Sequence, residues 1–313
     1  MTYGIQNYPA STLCFDEERG VIYMESSGIK SLRFPDLDDV REISAMQNTS
    51  LYLSDDGKCL GIFDTGNRLE IYDLQTGNGR LTFKKEWLNT VASCRFCCTD
   101  GQRLFVPIQN TLRCLDLHSP GDDRIIYGGE YGEASKERWH DVGHITSLSY
   151  YNGEIALMHY TFKHNYLVRI NAADCSVIDK LEVPSDLGTS FSYVTYDQKG
   201  GLCLSGKMGA PILHYKTFPK DIQDPDNAIR LSDRALAYLG LHFSPDGKYL
   251  TFQALVGGAN FSEAWLVRTR DWSLIQAISD RRIMYAPCFS SEGRYWLIHD
   301  KNPLIIDLEH HEE

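Results

Sequence analysis

Hydrophobic and polar residues alternate in short runs along this chain, most clearly between residues 239 and 272. One run ends at Phe243, the tetrapeptide SPDG follows at 244–247, and a second run covers 250–256. Alternation over roughly four to eight residues is typical of a half-buried β-strand. Asp-Gly favours a tight primed turn, because glycine adopts positive φ without steric cost. We therefore predict a β-hairpin here, followed by a third strand at 264–269.

The same kind of turn recurs along the whole chain. A glycine that follows polar residues and precedes an apolar run occurs at Gly20, Gly57, Gly101, Gly153, Gly200, Gly247 and Gly293. Successive glycines lie 37 to 52 residues apart, which matches the roughly 40–50 residues of a four-stranded propeller blade. The spacing predicts seven units that fill the chain and leave no room for a second domain.

The predicted fold is all-β: a single seven-bladed β-propeller of four-stranded antiparallel blades over residues 1–313. The blades are expected at about 9–48, 49–90, 91–129, 145–184, 191–232, 237–280 and 284–308. The last blade has only three strands of its own, and residues 2–7 precede the first blade. We expect this N-terminal segment to be the outermost strand of the last blade, since such closure covers an edge that would otherwise pair with other chains.

A second pattern follows the third strand of several units. It is IYDLQTG at 71–77, CLDL at 114–117 and IIDL at 305–308. Together with the SPDGK turn, these segments resemble the repeats of the WD-repeat propeller family. Gly143-His144 stands before the first strand of the fourth unit, where that family has its Gly-His pair. The resemblance implies a propeller that acts as a binding platform, although no unit carries Trp-Asp after its third strand.

Composition narrows the range of partners. The net charge is −11 and the pI is near 5.4. Nucleic acids and anionic membranes bind basic surfaces, so neither is expected as the main partner. The N-terminus lacks the pattern of a signal peptide, and no apolar run approaches the length of a membrane-spanning helix. We expect a cytoplasmic, monomeric propeller without a cofactor, bound to a protein or peptide within a hetero-complex.

The chain has nine cysteines, an odd number, and most of them lie in predicted strands. This distribution favours buried free thiols in a reducing compartment. Cys94, Cys97 and Cys98 are close in sequence, but a zinc site requires a second pair of ligands. We predict no metal site.

We expect the irregular loops, which are those between second and third strands and the connections between blades, to lie on one face of the propeller. The longest is the insertion at 128–144, GGEYGEASKERWHDVGH. Loops on a rigid scaffold carry binding residues, and tryptophan, tyrosine and arginine supply most interface hot spots. The predicted partner-binding residues are Trp139, His140, Arg281, Arg282, Phe261, Tyr285, His164 and Tyr131. Alternatively, Trp139 only packs the insertion onto its blade, and the arginines are solvated.

Catalysis is the alternative function. Some propellers are hydrolases, lactonases or lyases with polar residues at the central channel, and His140, His164 and Glu263 are the candidates here for a catalytic or small-molecule site. His140 and His144 are four residues apart, yet the intervening sequence lacks the Glu of the helical H-E-x-x-H motif. No nucleophile elbow or phosphate-binding loop occurs. His159 and His242 lie in predicted strands and are expected in the core. We therefore expect a protein that is not an enzyme.

Overall fold

The computed structural model describes residues 2–4, 13–46, 49–53, 59–64, 68–74, 80–84, 98–100, 102–108, 110–116, 124–128, 143–161, 164–184, 191–206, 209–257, 262–279, 286–299 and 303–309. The chain forms two compact units: unit 1 is Met1–Glu86 with Gly240–Glu313, and unit 2 is Trp87–Leu239. Among the described residues, no helix is long and apolar enough to span a membrane.

The described residues form β-strands throughout both units. The N-terminal part of unit 1 contains β1 (Thr2–Gly4); β2 (Leu13–Asp16), β3 (Val21–Glu25), β4 (Ile29–Arg33) and β5 (Asp38–Ser44); and β6 (Thr49–Leu53), β7 (Cys59–Asp64), β8 (Arg68–Asp73) and β9 (Arg80–Lys84). Unit 2 contains β10 (Cys98–Thr99), β11 (Arg103–Ile108), β12 (Thr111–Asp116) and β13 (Arg124–Tyr127); β14 (His144–Tyr151), β15 (Glu154–Tyr160), β16 (Asn165–Asn171) and β17 (Val177–Val183); and β18 (Phe191–Tyr196), β19 (Leu202–Gly206), β20 (Ile212–Tyr215) and β21 (Asn227–Ile229). The unit boundary falls within β22 (Ala235–Phe243), after which unit 1 continues with β23 (Tyr249–Val256), β24 (Ser262–Arg268) and β25 (Ser273–Ile278); and β26 (Cys288–Phe289), β27 (Tyr295–Ile298) and β28 (Leu304–Asp307).

Consecutive strands pair in groups of four, and the described residues form seven such sheets. Six sheets use four successive strands, and the last has the order β26-β27-β28-β1. The predicted four-stranded antiparallel blades are confirmed. The number of blades in one ring stays a prediction.

The predicted closing strand is also confirmed. β1 pairs antiparallel with β28, with Thr2 opposite Ile306 and Gly4 opposite Leu304. Tyr3 packs against the core between this sheet and the β2–β5 sheet. The remainder of the predicted strand, residues 5–7, lies outside the described residues.

Five of the predicted turn glycines are described, and all have positive φ: Gly20, Gly153, Gly200, Gly247 and Gly293. Asn152 and Gly153 form the two-residue primed turn between β14 and β15, with φ of 45° and 87°. The turn between β22 and β23 is different, since the Gly247 N–H donates to the Ser244 carbonyl at 2.8 Å in a longer connection. The hairpin prediction at SPDG was therefore right, but the primed turn there was wrong.

Each unit has its core between neighbouring sheets. In unit 1, Trp296 is fully buried, and its Nε1–H donates to Thr251 Oγ1 at 2.7 Å, which joins β27 to β23. In unit 2, Ser147 Oγ donates to the Val194 carbonyl at 3.2 Å and accepts from the Val194 N–H at 3.1 Å. This pair joins β14 to β18, the first strands of successive sheets, across a separation of 47 residues.

Two sequence predictions about buried groups need correction. The six cysteines whose side chains the structure describes are free, as predicted, but only Cys114 and Cys203 among them are buried. His242 is exposed rather than part of the core. Cys94 and Cys97 lie outside the described residues. Within the described residues, no three His, Cys, Asp or Glu side chains are arranged to hold a metal ion.

Candidate protein-interaction surface

The structure describes one of the eight predicted contact residues, His164. The other seven lie outside the described residues: Trp139, His140, Arg281, Arg282, Phe261, Tyr285 and Tyr131. His164 is exposed immediately before β16, at a connection between the second and third strands of its sheet. This is the type of loop on which the sequence predicted binding residues.

Aromatic, histidine and acidic side chains lie at the same end of unit 2 as His164. The loop-end cluster consists of Tyr127, His144, His159, Tyr160, His164, Tyr166 and Glu182. Strand register brings three of them together on one face of the sheet, because Tyr166 on β16 lies opposite both His159 on β15 and Glu182 on β17. His144 and Tyr160 pair with each other at the neighbouring position and lie on the other face of the same sheet end. Side chains opposite one another in paired strands are direct neighbours. The cluster therefore follows from the sheet, whatever the conformation of the loops.

His164 is held by contacts on both sides. Its Nδ1 lies 2.6 Å from Glu182 Oε1, and its backbone N–H donates to Thr161 Oγ1 at 2.8 Å. The ring lies 6.1 Å from the Tyr166 ring, and Lys180 Nζ lies 4.2 Å from the same ring. About half of the His164 and Glu182 side chains is exposed. Such an exposed contact contributes roughly 0–1 kcal/mol to stability, and both side chains remain accessible to a partner.

Tyr127 and His159 form the buried side of the cluster. The Tyr127 hydroxyl lies 2.9 Å from His159 Nδ1, and the two rings meet edge to face at 5.5 Å. Burial raises the pKa of Tyr127 to about 12, so the phenol remains protonated at neutral pH. His159 is 9% exposed, which agrees with its predicted place in the core. The pair anchors β13 against β15.

Gly143 and His144 begin the first strand of the same sheet. Gly143 has a φ of 72°, and a Cβ placed on it would lie 2.0 Å from the Tyr160 carbonyl oxygen. A glycine is therefore required at this close approach of two strands. The exposed His144 ring lies 5.2 Å from the Tyr160 ring, so these two rings form the part of the cluster on the sheet face opposite to Tyr166.

A buried amide lies beside the start of the 128–144 insertion. Asn110 is 8% exposed, and its Oδ1 has no hydrogen-bond partner among the described residues. The backbone of Gly128 crosses directly over it, since a Cβ on Gly128 would lie 2.1 Å from the Asn110 carbonyl oxygen. An unsatisfied buried acceptor costs about 1–3 kcal/mol.

Solved structures with the same fold are numerous. A β-propeller domain of Cps50 (Swd1) from Myceliophteria thermophila superimposes with a TM-score of 0.67 at 12% identity, over 96% of this chain and 97% of that one. A chain of the mitotic checkpoint complex gives 0.67 at 13%, over 97% and 90%. The chain has the β-propeller fold.

The fold alone is shared with proteins of different kinds. The hydrazine synthase of Kuenenia stuttgartiensis superimposes on this propeller with a TM-score of 0.64 at 12% identity, over 96% of both chains. No protein-family model matches the sequence, and no curated protein matches it either. Identities this low establish the fold and leave the function to be argued from the residues.

The residues of the alternative catalytic site are only partly described. Glu263 lies on β24 in unit 1, where its Oε2 accepts a hydrogen bond from Trp265 Nε1–H at 2.7 Å. His164 lies in unit 2 and contacts Glu182. His140 lies outside the described residues. Both described candidates thus have structural partners of their own.

Sequence reasoning missed most of the loop-end cluster. Tyr127, Tyr160, Tyr166 and Glu182 were not predicted, because each lies within a strand and carries no loop signal. The available signal was the run His159-Tyr160 and His164-Asn165-Tyr166 on the two sides of one connection. Because paired strands bring such residues together, a search for aromatic residues at strand ends would have found them.

Proposed function

We propose that the protein is a non-catalytic interaction platform, a subunit of an intracellular complex, and that it binds a protein or peptide at the loop-end cluster and the adjoining 128–144 insertion. The observation that carries this proposal is the concentration of tyrosine and histidine rings at one end of the β14–β17 sheet. Tyrosine is among the residues that supply most interface hot spots. Rings fixed by the sheet lose little conformational freedom on binding.

Two of the similar structures support this class of function. One is named as a propeller domain and the other comes from a multiprotein complex. The similarity to hydrazine synthase means that the fold does not decide against catalysis. Of the residues named for a catalytic site, His164 contacts Glu182 and Glu263 contacts Trp265.

A pull-down with a matched control tests the proposal. The test variant is His164→Ala with Tyr166→Ala, and the control is Val177→Ala with Ile178→Ala, which are exposed at the opposite end of β17. We expect a partner from native extract to be retained by the wild type and the control and lost by the test variant, with all three equally folded by circular dichroism. Equal capture by both variants would refute the proposed surface.

A further inference from the structure

A cleft in unit 1 lies at the other type of connection, the turns between first and second strands. It has a volume of about 480 Å³, which lies in the range of small-ligand sites. We call it the turn cleft, and its lining includes Glu17, Phe34, Asp246, Lys248, Glu292 and Arg294. Its aromatic lining also includes Phe15, Tyr249 and Tyr295, all below 8% exposure. The turn cleft is therefore an aromatic floor with a charged rim.

Both cations of the rim are already neutralised. Arg294 Nη2 lies 2.9 Å from Asp307 Oδ2 and 2.8 Å from Glu309 Oε2. Lys248 Nζ lies 3.4 Å from Asp246 Oδ2. Two further acids, Glu17 and Glu292, line the cleft without a matching cation among the lining residues. The turn cleft thus carries an excess of negative charge.

The excess arises because one of the turns at the cleft is capped by an acidic residue from another turn. In the Ser244–Lys248 turn, Asp246 Oδ1 accepts from Ser244 Oγ–H at 2.6 Å and from the Lys248 N–H at 3.1 Å. In the corresponding turn before β27, that function belongs to Glu17 of the β2–β3 turn. Its Oε1 accepts from Ser290 Oγ–H and from the backbone N–H groups of Glu292 and Arg294, the latter two at 3.1 and 3.2 Å.

Glu292 stands at the position in its turn that corresponds to Asp246. It does not cap that turn, because Glu17 does so. In the part of the chain that the structure describes, its carboxylate makes no ion pair or hydrogen bond, and the residue is exposed. The sequence thus has one carboxylate more than the turn requires. That carboxylate stands at the mouth of an aromatic cleft, where it can contact a ligand.

The cleft already shows the chemistry of its expected ligand. The Arg294 guanidinium carbon lies 5.1 Å from the centre of the Tyr295 ring, a cation–π contact within the cleft itself. A guanidinium can stack on aromatic rings and pair with a carboxylate through two hydrogen bonds, whereas an ammonium is a strongly hydrated point charge. We propose that the turn cleft binds an arginine side chain presented by a peptide segment of a partner protein, with Glu292 as its carboxylate contact.

Fluorescence anisotropy with short labelled peptides tests this inference. The probes are alternating glycine-arginine, glycine-lysine and glycine-glutamate peptides of equal length. We expect the arginine peptide to bind the wild type most tightly. Loss of one charge-assisted contact in Glu292→Gln should raise its Kd about tenfold, and the charge reversal Glu292→Lys should raise it further.

The control variant is Asp224→Asn, which removes an exposed carboxylate of unit 2 and makes the same change in net charge. It should leave the Kd within about twofold, because distant surface charges are screened by salt. Equal weakening by Glu292→Gln and Asp224→Asn would overturn the site, as would equal binding of the arginine and lysine peptides or no binding by the wild type. Capture of a partner at the loop-end cluster is measured separately, so either proposal can fail alone.

Discussion

The closing strand β1 provides a quantitative test of the fold through one side chain, Tyr3. The Tyr3 ring meets Phe34 edge to face, with centroids 4.8 Å apart. Phe34 in turn lies 4.9 Å from Phe15 and 5.0 Å from Tyr295. Tyr3 therefore links the strand that completes the last sheet to an aromatic cluster shared with the first. Truncation to alanine, Tyr3→Ala, removes this link but leaves the backbone pairing in place.

The expected loss can be worked from these contacts. An edge-to-face ring pair contributes about 1 kcal/mol beyond its buried area. Loss of roughly 60 Å² of apolar contact adds about 1.5 kcal/mol at about 25 cal/mol per Å². We expect Tyr3→Ala to lower the free energy of unfolding by about 2–3 kcal/mol. The docking free energy of β1 sets the upper limit, because no more can be lost once the strand has detached.

Urea unfolding followed by tryptophan fluorescence measures this loss. Thr2→Ala is the matched control, since Thr2 lies on the same strand and is exposed. We expect the control to remain within about 0.5 kcal/mol of the wild type, as is usual for surface substitutions. If Tyr3→Ala and Thr2→Ala are equally stable, β1 does not hold the last sheet to the first, and the closure reasoning fails.

Two further predictions concern hydrogen-bonded polar groups. In a double-mutant cycle of Trp296→Phe and Thr251→Val, urea unfolding should give a coupling energy of about 1 kcal/mol for their hydrogen bond, and additivity would contradict it. Burial acts to raise the pKa of Asp197, but the hydrogen bond from His214 and those from backbone N–H groups outweigh it and lower that pKa. A carboxyl whose pKa is lowered in the folded state adds stability, and this stability is lost as pH falls below about 4. The loss of unfolding free energy caused by Asp197→Asn should therefore be smaller at about pH 3 than at about pH 6. A constant difference across that range would contradict the linkage.

The sequence predicted the fold because its repeat has two independent components. Turn glycines such as Gly153 and Gly247 mark one end of each unit, and the alternating runs between them set the strands. The three-stranded last unit also predicted the pairing of β1 with β28. Its one clear local error, the turn at 244–247, arose because Asp-Gly also occurs in longer turns in which only the glycine needs positive φ.

The candidate sites were harder to predict, because they depend on contacts between distant parts of the chain. Glu17 caps the turn at Ser290 across 273 residues, and no local pattern in the sequence pairs the two. Tyr127 and His159 meet across the boundary of two sheets. Loop composition alone suggested residues such as Trp139, which lies outside the described residues. Packing between neighbouring sheets supplied these contacts, which composition could not.

The contact between the last sheet and the first depends on residues that also line the turn cleft, so the two features are coupled. Glu17 and Phe34 belong to the first sheet and its turns, whereas Arg294 and Tyr295 belong to the last, and all four line the cleft. The same four residues form the Glu17 turn contact and the aromatic cluster that hold these sheets together. A ligand that binds only when they are assembled stabilises the closed arrangement by mass action, in proportion to the logarithm of its concentration above the Kd. Occupancy of the turn cleft and closure of the last sheet onto the first are therefore linked equilibria, and each strengthens the other.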